Sequence, residues 1–223
     1  MHTIVSVEGS YNARTIGTKD APWLVRTAAL DGLTPDGERA LRAQGVDLVI
    51  DLREISEHGA RQHGLPVSSM PLYGAQPPES GTIHDIYAGL VRDRGRQLGA
   101  AVSAIATHPG TPVVHCTAGK DRTGLVVALV RLVAGHARAD IIADYALSGE
   151  TVRPARAAIV AKQLDEIGLD ARARAAAEEL HLDSPAAALE RALDLIDDLG
   201  GPVAYLLENG VTTTHLRSLA VRA

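Results

Sequence analysis

A strand-like stretch, a short polar loop and an apolar helix follow one another between Pro112 and Gly135. The residues read PVV, then HCTAGKDRTG, then LVVALVRLVAG. Pro112-Val113-Val114 has strand character, and Leu125 to Ala134 is apolar over the length of a buried helix. Between them lie His115, Cys116, the small residues Thr117, Ala118 and Gly119, then Lys120, Asp121, Arg122 and Thr123. A strand feeding a glycine-containing loop and a helix start makes an anion cradle. The loop N–H groups and the helix N-terminus point at one spot.

A phosphate in that cradle takes N–H bonds from residues 117 to 122. It also takes a bidentate pair from Arg122, whose fork matches two phosphate oxygens. Cys116 stands six positions before Arg122, at the mouth of the loop. A positive field favours the thiolate, the nucleophilic form of cysteine. A thiolate held beneath phosphorus is set for in-line displacement. Thr123 is expected to hydrogen-bond the sulfur, and His115 to support the loop rather than act as a base. Lys120 either adds charge over the pocket or is solvated. The loop is not a nucleotide P-loop, because Lys120 is followed by Asp121 rather than Ser or Thr.

The leaving oxygen needs a proton, which a nearby carboxylic acid can supply. Asp121 is favoured because the loop fixes its position. Asp85, within Ile83 to Tyr87, is the main alternative, and Asp93 is another.

The chain has 223 residues and a net charge of −5, enough length for one sizeable core and no general attraction for nucleic acid or anionic membranes. Its single cysteine excludes a disulfide framework and suggests a reducing compartment. The start, MHTIVSVEGS, has no basic n-region or long apolar run, so no ordinary signal peptide is expected. A cytoplasmic location follows, with non-classical export left open. No apolar run reaches the roughly 20 residues of a membrane span.

Strand patterns fall at residues 3–7, Leu24-Val25, Val46 to Ile50, Pro66 to Leu72 and Pro112 to Val114. Helices are expected from Thr34-Pro35 to Gly45, from near Thr82 and from Gly95 to His108. That alternation implies an α/β fold, a single domain over 1–223 with a mixed, mainly parallel sheet covered on both faces. Residues 74–81 are the clearest loop and a plausible pocket rim. Asp51 and Arg53 sit where ligands of open sheets bind, beyond a strand's carboxyl end. Arg53 either lines the pocket or is a structural ion-pair partner.

Past Gly135 the chain is helical, over Ala139 to Leu147, Thr151 to Leu164, a helix capped by Ser184-Pro185, and Thr212 to Leu219. Leu189, Leu193, Ile196 and Leu199 mark one apolar face. Glu190, Asp194, Asp197 and Asp198 read as a solvated face rather than a metal site. Residues 165–182 form either a helical lid (within 150–182) or a packed surface helix. Arg153 and Arg156 either reach the phosphate side or remain solvated.

His115-Cys116-x5-Arg122-Thr123 resembles the signature loop of the cysteine-dependent protein tyrosine phosphatase superfamily. The form CTAGKDRTG is similar to a bacterial tyrosine/serine branch with some lipid phosphatase activity. Tyr11 to Gly17, Val25 to Leu30, Val49 to Arg53 with Glu57, Asp144-Tyr145 with Ser148, and Gly210-Val211 resemble other segments of that branch. The resemblance implies a phosphatase-like fold and phosphate monoester hydrolysis through a phosphocysteine. Cys116 would be the nucleophile and Arg122 the phosphate clamp. The substrate would be phosphotyrosine in proteins, with dual specificity or a phosphoinositide as alternatives. Inorganic phosphate would leave as product, and neither cofactor nor metal is implied. Two rivals are a phosphate-binding protein without turnover and a sulfurtransferase.

Overall fold

The computed structural model describes residues 2–18 and 20–222. Six strands form one sheet. In spatial order they are β1 (His2–Ile4), β2 (Arg14–Gly17), β3 (Pro22–Thr27), β6 (Thr111–His115), β4 (Val46–Asp51) and β5 (Val67–Ser69). The first two pairings are antiparallel and the other three parallel. This is the expected mixed, mainly parallel sheet. Two strands are shorter than the sequence pattern implies: β1 ends at Ile4 and β5 spans only Val67–Ser69. β6 lies between two parallel neighbours, with His115 level with Thr27 on one side and Asp51 on the other.

Helix α1 (Pro35–Ala43) starts as its Thr-Pro pair dictates, with the Thr34 hydroxyl accepting from Gly37 N at 3.1 Å. Its buried Leu41 joins Val25, Val49 and Val113 on one face of the sheet, while Ala40 is only half-buried. The other face carries α2 (Ile83–Asp93), α3 (Gly95–Thr107) and α4 (Asp121–Val133) in a larger core. α4 is buried from Arg122 to Arg131 because sheet and helices surround it. An apolar sequence on every side of the helix is stable only in such a position.

The C-terminal half is helical: α5 (Arg138–Ala146), α6 (Ser148–Ile167), α7 (Ala171–Leu182), α8 (Ala186–Asp198), α9 (Gly201–Glu208) and α10 (Thr213–Ala220). α6 is longer than expected and runs through Pro154. Ser184 does not cap α8. Its hydroxyl accepts from Gly149 N at 2.6 Å and donates to Ala146 O at 3.1 Å, joining α5 to α6. The apolar face of α8 ends at Ile196, and Leu199 is 41% exposed. Gly200 turns the chain at φ 96° and Pro202 restarts it as α9, a helix the sequence pattern did not reveal. α6 and α7 form a hairpin with its own apolar seam of Val160, Leu164, Ala177 and Leu182. No helix among the described residues is long and apolar enough to cross a membrane.

Candidate active site

The loop from Cys116 to Lys120 links the end of β6 to the start of α4. Its shape is fixed from outside. Gly119 sits at φ 64°, and a Cβ there would lie 2.1 Å from the Thr27 carbonyl, so a side chain has no room. Asn12 Nδ2 donates to the carbonyls of Ala118 and Gly119, both at 3.0 Å. Arg26 Nη2 donates to the Gly119 carbonyl at 2.8 Å. In a planar trans peptide the N–H points opposite the C=O. Pinning these two carbonyls therefore turns the amides of Gly119 and Lys120 away from Asn12 and Arg26.

The pins are anchored in turn. Arg14 Nη1 donates to Asn12 Oδ1 at 2.5 Å. Arg14 and Arg26 share the buried Asp144 at 2.9 and 2.8 Å, with Arg131 3.7 Å away. Burial, then the neighbouring Arg26 charge, lowers the Arg14 pKa to about 10 against the pull of Asp144.

Cys116, only 3% exposed, lies at the base of a cleft of about 580 Å³. Arg122 opens on the same cleft. Its Nη1 and Nη2 donate to the two Glu57 oxygens at 2.6 and 2.7 Å, and Nη1 also reaches the Leu52 carbonyl at 3.3 Å. The guanidinium stacks 4.8 Å from the Tyr73 ring centroid. Burial opposes its charge, but the Glu57 hydrogen bonds and the nearby Cys116 hold its pKa above the usual arginine range. Burial likewise works against the Glu57 carboxylate, but hydrogen bonds from Arg122 outweigh it and keep Glu57 below the ordinary range. The Thr117 hydroxyl also donates to Glu57.

His115 is fully buried, with Nδ1 3.2 Å from the Cys116 carbonyl and Nε2 3.6 Å from Asp51 Oδ2. Burial lowers its pKa to about 4, so at neutral pH it is an uncharged donor to the loop. Asp121 lines the cleft and accepts from the Tyr87 hydroxyl at 3.1 Å, which is itself 2.9 Å from the Tyr145 hydroxyl. Burial holds Tyr87 far above its usual pKa, so it remains a donor.

Other candidates lie elsewhere. Lys120 is buried and does not line the cleft. Its ammonium donates to the Leu180 carbonyl at 2.6 Å and to that of Asp183, at the negative end of α7, with Asp121 Oδ1 3.3 Å away. The buried Thr123 hydroxyl has no hydrogen-bond partner among the described residues. Asp85 lies in the first turn of α2 instead of lining the cleft, accepting from the hydroxyl of the capping Thr82 at 2.6 Å. Arg53 pairs with Asp51 at 2.8 Å and Asp31 at 2.5 Å, beside a separate cavity of about 150 Å³ behind the loop. Arg153 pairs with Asp183 at 2.6 Å, whereas Arg156 does line the cleft.

The cleft has a helical wall. Leu164 and Ile167 of α6 and Leu180 and His181 of α7 line it, opposite the Gln76 to Glu79 loop. His181 Nε2 lies 2.9 Å from the Glu79 carbonyl across that opening. Among the described residues no cluster of His, Cys, Asp and Glu could hold a metal ion.

The sequence pattern points to no site role for Asn12, Arg26 or Tyr87 and does not pair Glu57 with Arg122. Asn12 had a local signal, since asparagine is among the few residues that adopt φ near 59° readily.

The chain is similar to a tyrosine-protein phosphatase of Nostoc commune, 33% identical over 141 residues, or 56% of this chain and 47% of that one. It is similar also to the triple specificity protein phosphatase PtpB of Mycobacterium tuberculosis, 31% identical over 179 residues, or 61% of this chain and 64% of that one. The chain thus spans about half to just under two thirds of the length of these curated relatives. The tyrosine phosphatase family profile matches residues 5–222, and the chain belongs to that family.

Proposed function

We propose that the chain hydrolyses phosphate monoesters, phosphotyrosine in proteins foremost, through a phosphocysteine intermediate. The observation that carries this is the opening of Cys116, Asp121 and Arg122 onto one cleft. The Cys116 thiolate attacks phosphorus in line as the ester P–O bond breaks. Asp121 gives its proton to the leaving oxygen. Water then attacks the thiophosphate, Asp121 takes a proton back, and phosphate leaves as the P–S bond breaks.

Charge on the equatorial oxygens is met by the loop amides and by Arg122. Arg122 Nε and the Nη2 proton now facing Thr117 Oγ1 at 3.3 Å can grip two phosphate oxygens while Glu57 keeps its pair. The lone cysteine suits a reducing compartment such as the cytoplasm.

The breadth of the cleft and the triple specificity in the name of the M. tuberculosis relative favour a wider substrate range. Phosphoserine peptides and a phosphoinositide therefore belong in the test. Phosphate release is measured from that panel and a phosphotyrosine peptide, with chelator present, for wild type and Cys116→Ser. Release by wild type alone is the expected result. Release that survives in Cys116→Ser removes the cysteine from the mechanism. Tight phosphate binding without release from any substrate favours a binding protein instead.

A further inference from the structure

Arg156 is a second cation in the cleft. It differs from the other arginines near the site in having no carboxylate partner among the described residues. Arg122 is matched by Glu57 and Arg153 by Asp183. Arg156 lines the cleft together with Cys116, Asp121 and Arg122.

Its position along α6 is fixed at the loop end. The Thr151 hydroxyl donates to Asn12 Oδ1 at 3.1 Å, and Asn12 holds the loop carbonyls. Arg156 follows Thr151 by five residues, about 7–8 Å along the helix axis. Glu166, which also lines the cleft, is ten residues further and about 15 Å away. The α6 wall is therefore positive beside the loop and negative at its outer end.

A phosphate monoester in the loop already has Arg122. An unpaired guanidinium beside it matches a second anion on the same substrate. Glu79 and Glu166 at the outer rim oppose negative charge carried further from the scissile group.

We propose that Arg156 forms a second anion subsite beside the catalytic loop, selecting protein substrates with an acidic side chain close to the phosphotyrosine. This rests on the phosphatase reading above.

The test uses matched phosphotyrosine peptides whose flanking residues are Glu or Gln, with wild type, Arg156→Gln and Arg156→Lys. The kcat/KM ratio of acidic to neutral peptide is expected to be about three- to five-fold at physiological salt, as for a partly exposed ion pair. It should grow as salt is lowered, fall to about one in Arg156→Gln, and be partly retained in Arg156→Lys. The change should appear in KM rather than kcat.

A wild-type ratio of one, or a ratio that survives Arg156→Gln, overturns the subsite. If Arg156→Gln does not fold, the wild-type ratio and its salt dependence decide. The Kd ratio of the two peptides for Cys116→Ser tests the subsite without turnover, so failure of the phosphatase reading is separable. A larger Arg156-dependent ratio for a polyphosphorylated inositol lipid over a monophosphorylated one overturns the assignment to acidic peptides.

Discussion

Glu57→Ala should expose how far one carboxylate holds the site together. Glu57 accepts from both Nη atoms of Arg122, from the Thr117 hydroxyl, and through Oε2 from Glu54 N at 3.0 Å. Its side chain is 14% exposed and that of Arg122 7%. Removing one partner of a fully buried ion pair costs about 3–5 kcal/mol, because the other charge is left uncompensated. Water reaches this pair from the cleft, so we expect less than that range, about 2–3 kcal/mol at pH 7. In a chain of this size that is a fall in Tm of roughly 5–10 °C.

The pH dependence has a definite sign. The Glu57 carboxylate is held below its ordinary range in the folded state. Its stabilisation is therefore complete above the unfolded value of about 4.3, and is lost as pH falls through the lower folded value. Urea unfolding of wild type and Glu57→Ala should differ by a constant amount above about pH 5 and converge in stronger acid. Arg122 also loses its alignment, so kcat/KM should drop by about ten-fold or more. Glu57→Gln, which keeps the shape and one acceptor, should fall between. A loss under about 0.5 kcal/mol with unchanged kinetics would refute this account of how Arg122 is positioned.

Asp121→Asn should slow substrates with poor leaving groups far more than activated aryl phosphates. Tyr87→Phe, which removes one hydrogen bond to Asp121, should repeat that pattern at about two- to ten-fold. Stability should fall by up to about 3 kcal/mol as pH drops from about 6.5 to 4. The unfolded chain takes up the His115 proton over that interval and the folded one, at about 4, does not. In His115→Asn this component of the urea titration should be missing. Lys120→Met strips a cation from the Leu180 and Asp183 carbonyls at the end of α7, so limited proteolysis should cut residues 165–182 sooner and KM should rise. Unaltered cleavage there would mean the hairpin is held by its other contacts.

What was legible in the sequence is what is local. A phosphate cradle is built from consecutive residues, so its parts stand side by side from His115 to Thr123. The order of the central elements follows from apolar runs and turn residues for the same reason. Thr34-Pro35 and Thr82 start their helices as written because a cap needs only the next turn. Ser184-Pro185 carried a similar signal and misled. The Ser184 hydroxyl meets Gly149 N, 35 residues away, and that contact displaces the local one. Leu199 fits the helical spacing of α8, but the helix stops one residue before it.

The residues that hold the loop in shape are distant in the chain, and pattern reading has no access to them. Asn12 and Ala118 are 106 positions apart, Arg26 and Gly119 are 93 apart, and Glu57 and Arg122 are 65 apart. Lys120 marks the same boundary from the other side. A lysine inside a phosphate loop is reasonably read as a charge for the ligand, since sequence gives its position and not its direction. Here its ammonium points to the C-terminal carbonyls of α7, and the cation at the cleft wall is Arg156, 36 positions later. Charge near a site is thus divided by direction. Lys120 ties the helical wall to the loop, Arg122 opens on the cleft beside Cys116, and Arg156 is left for whatever lies beside them.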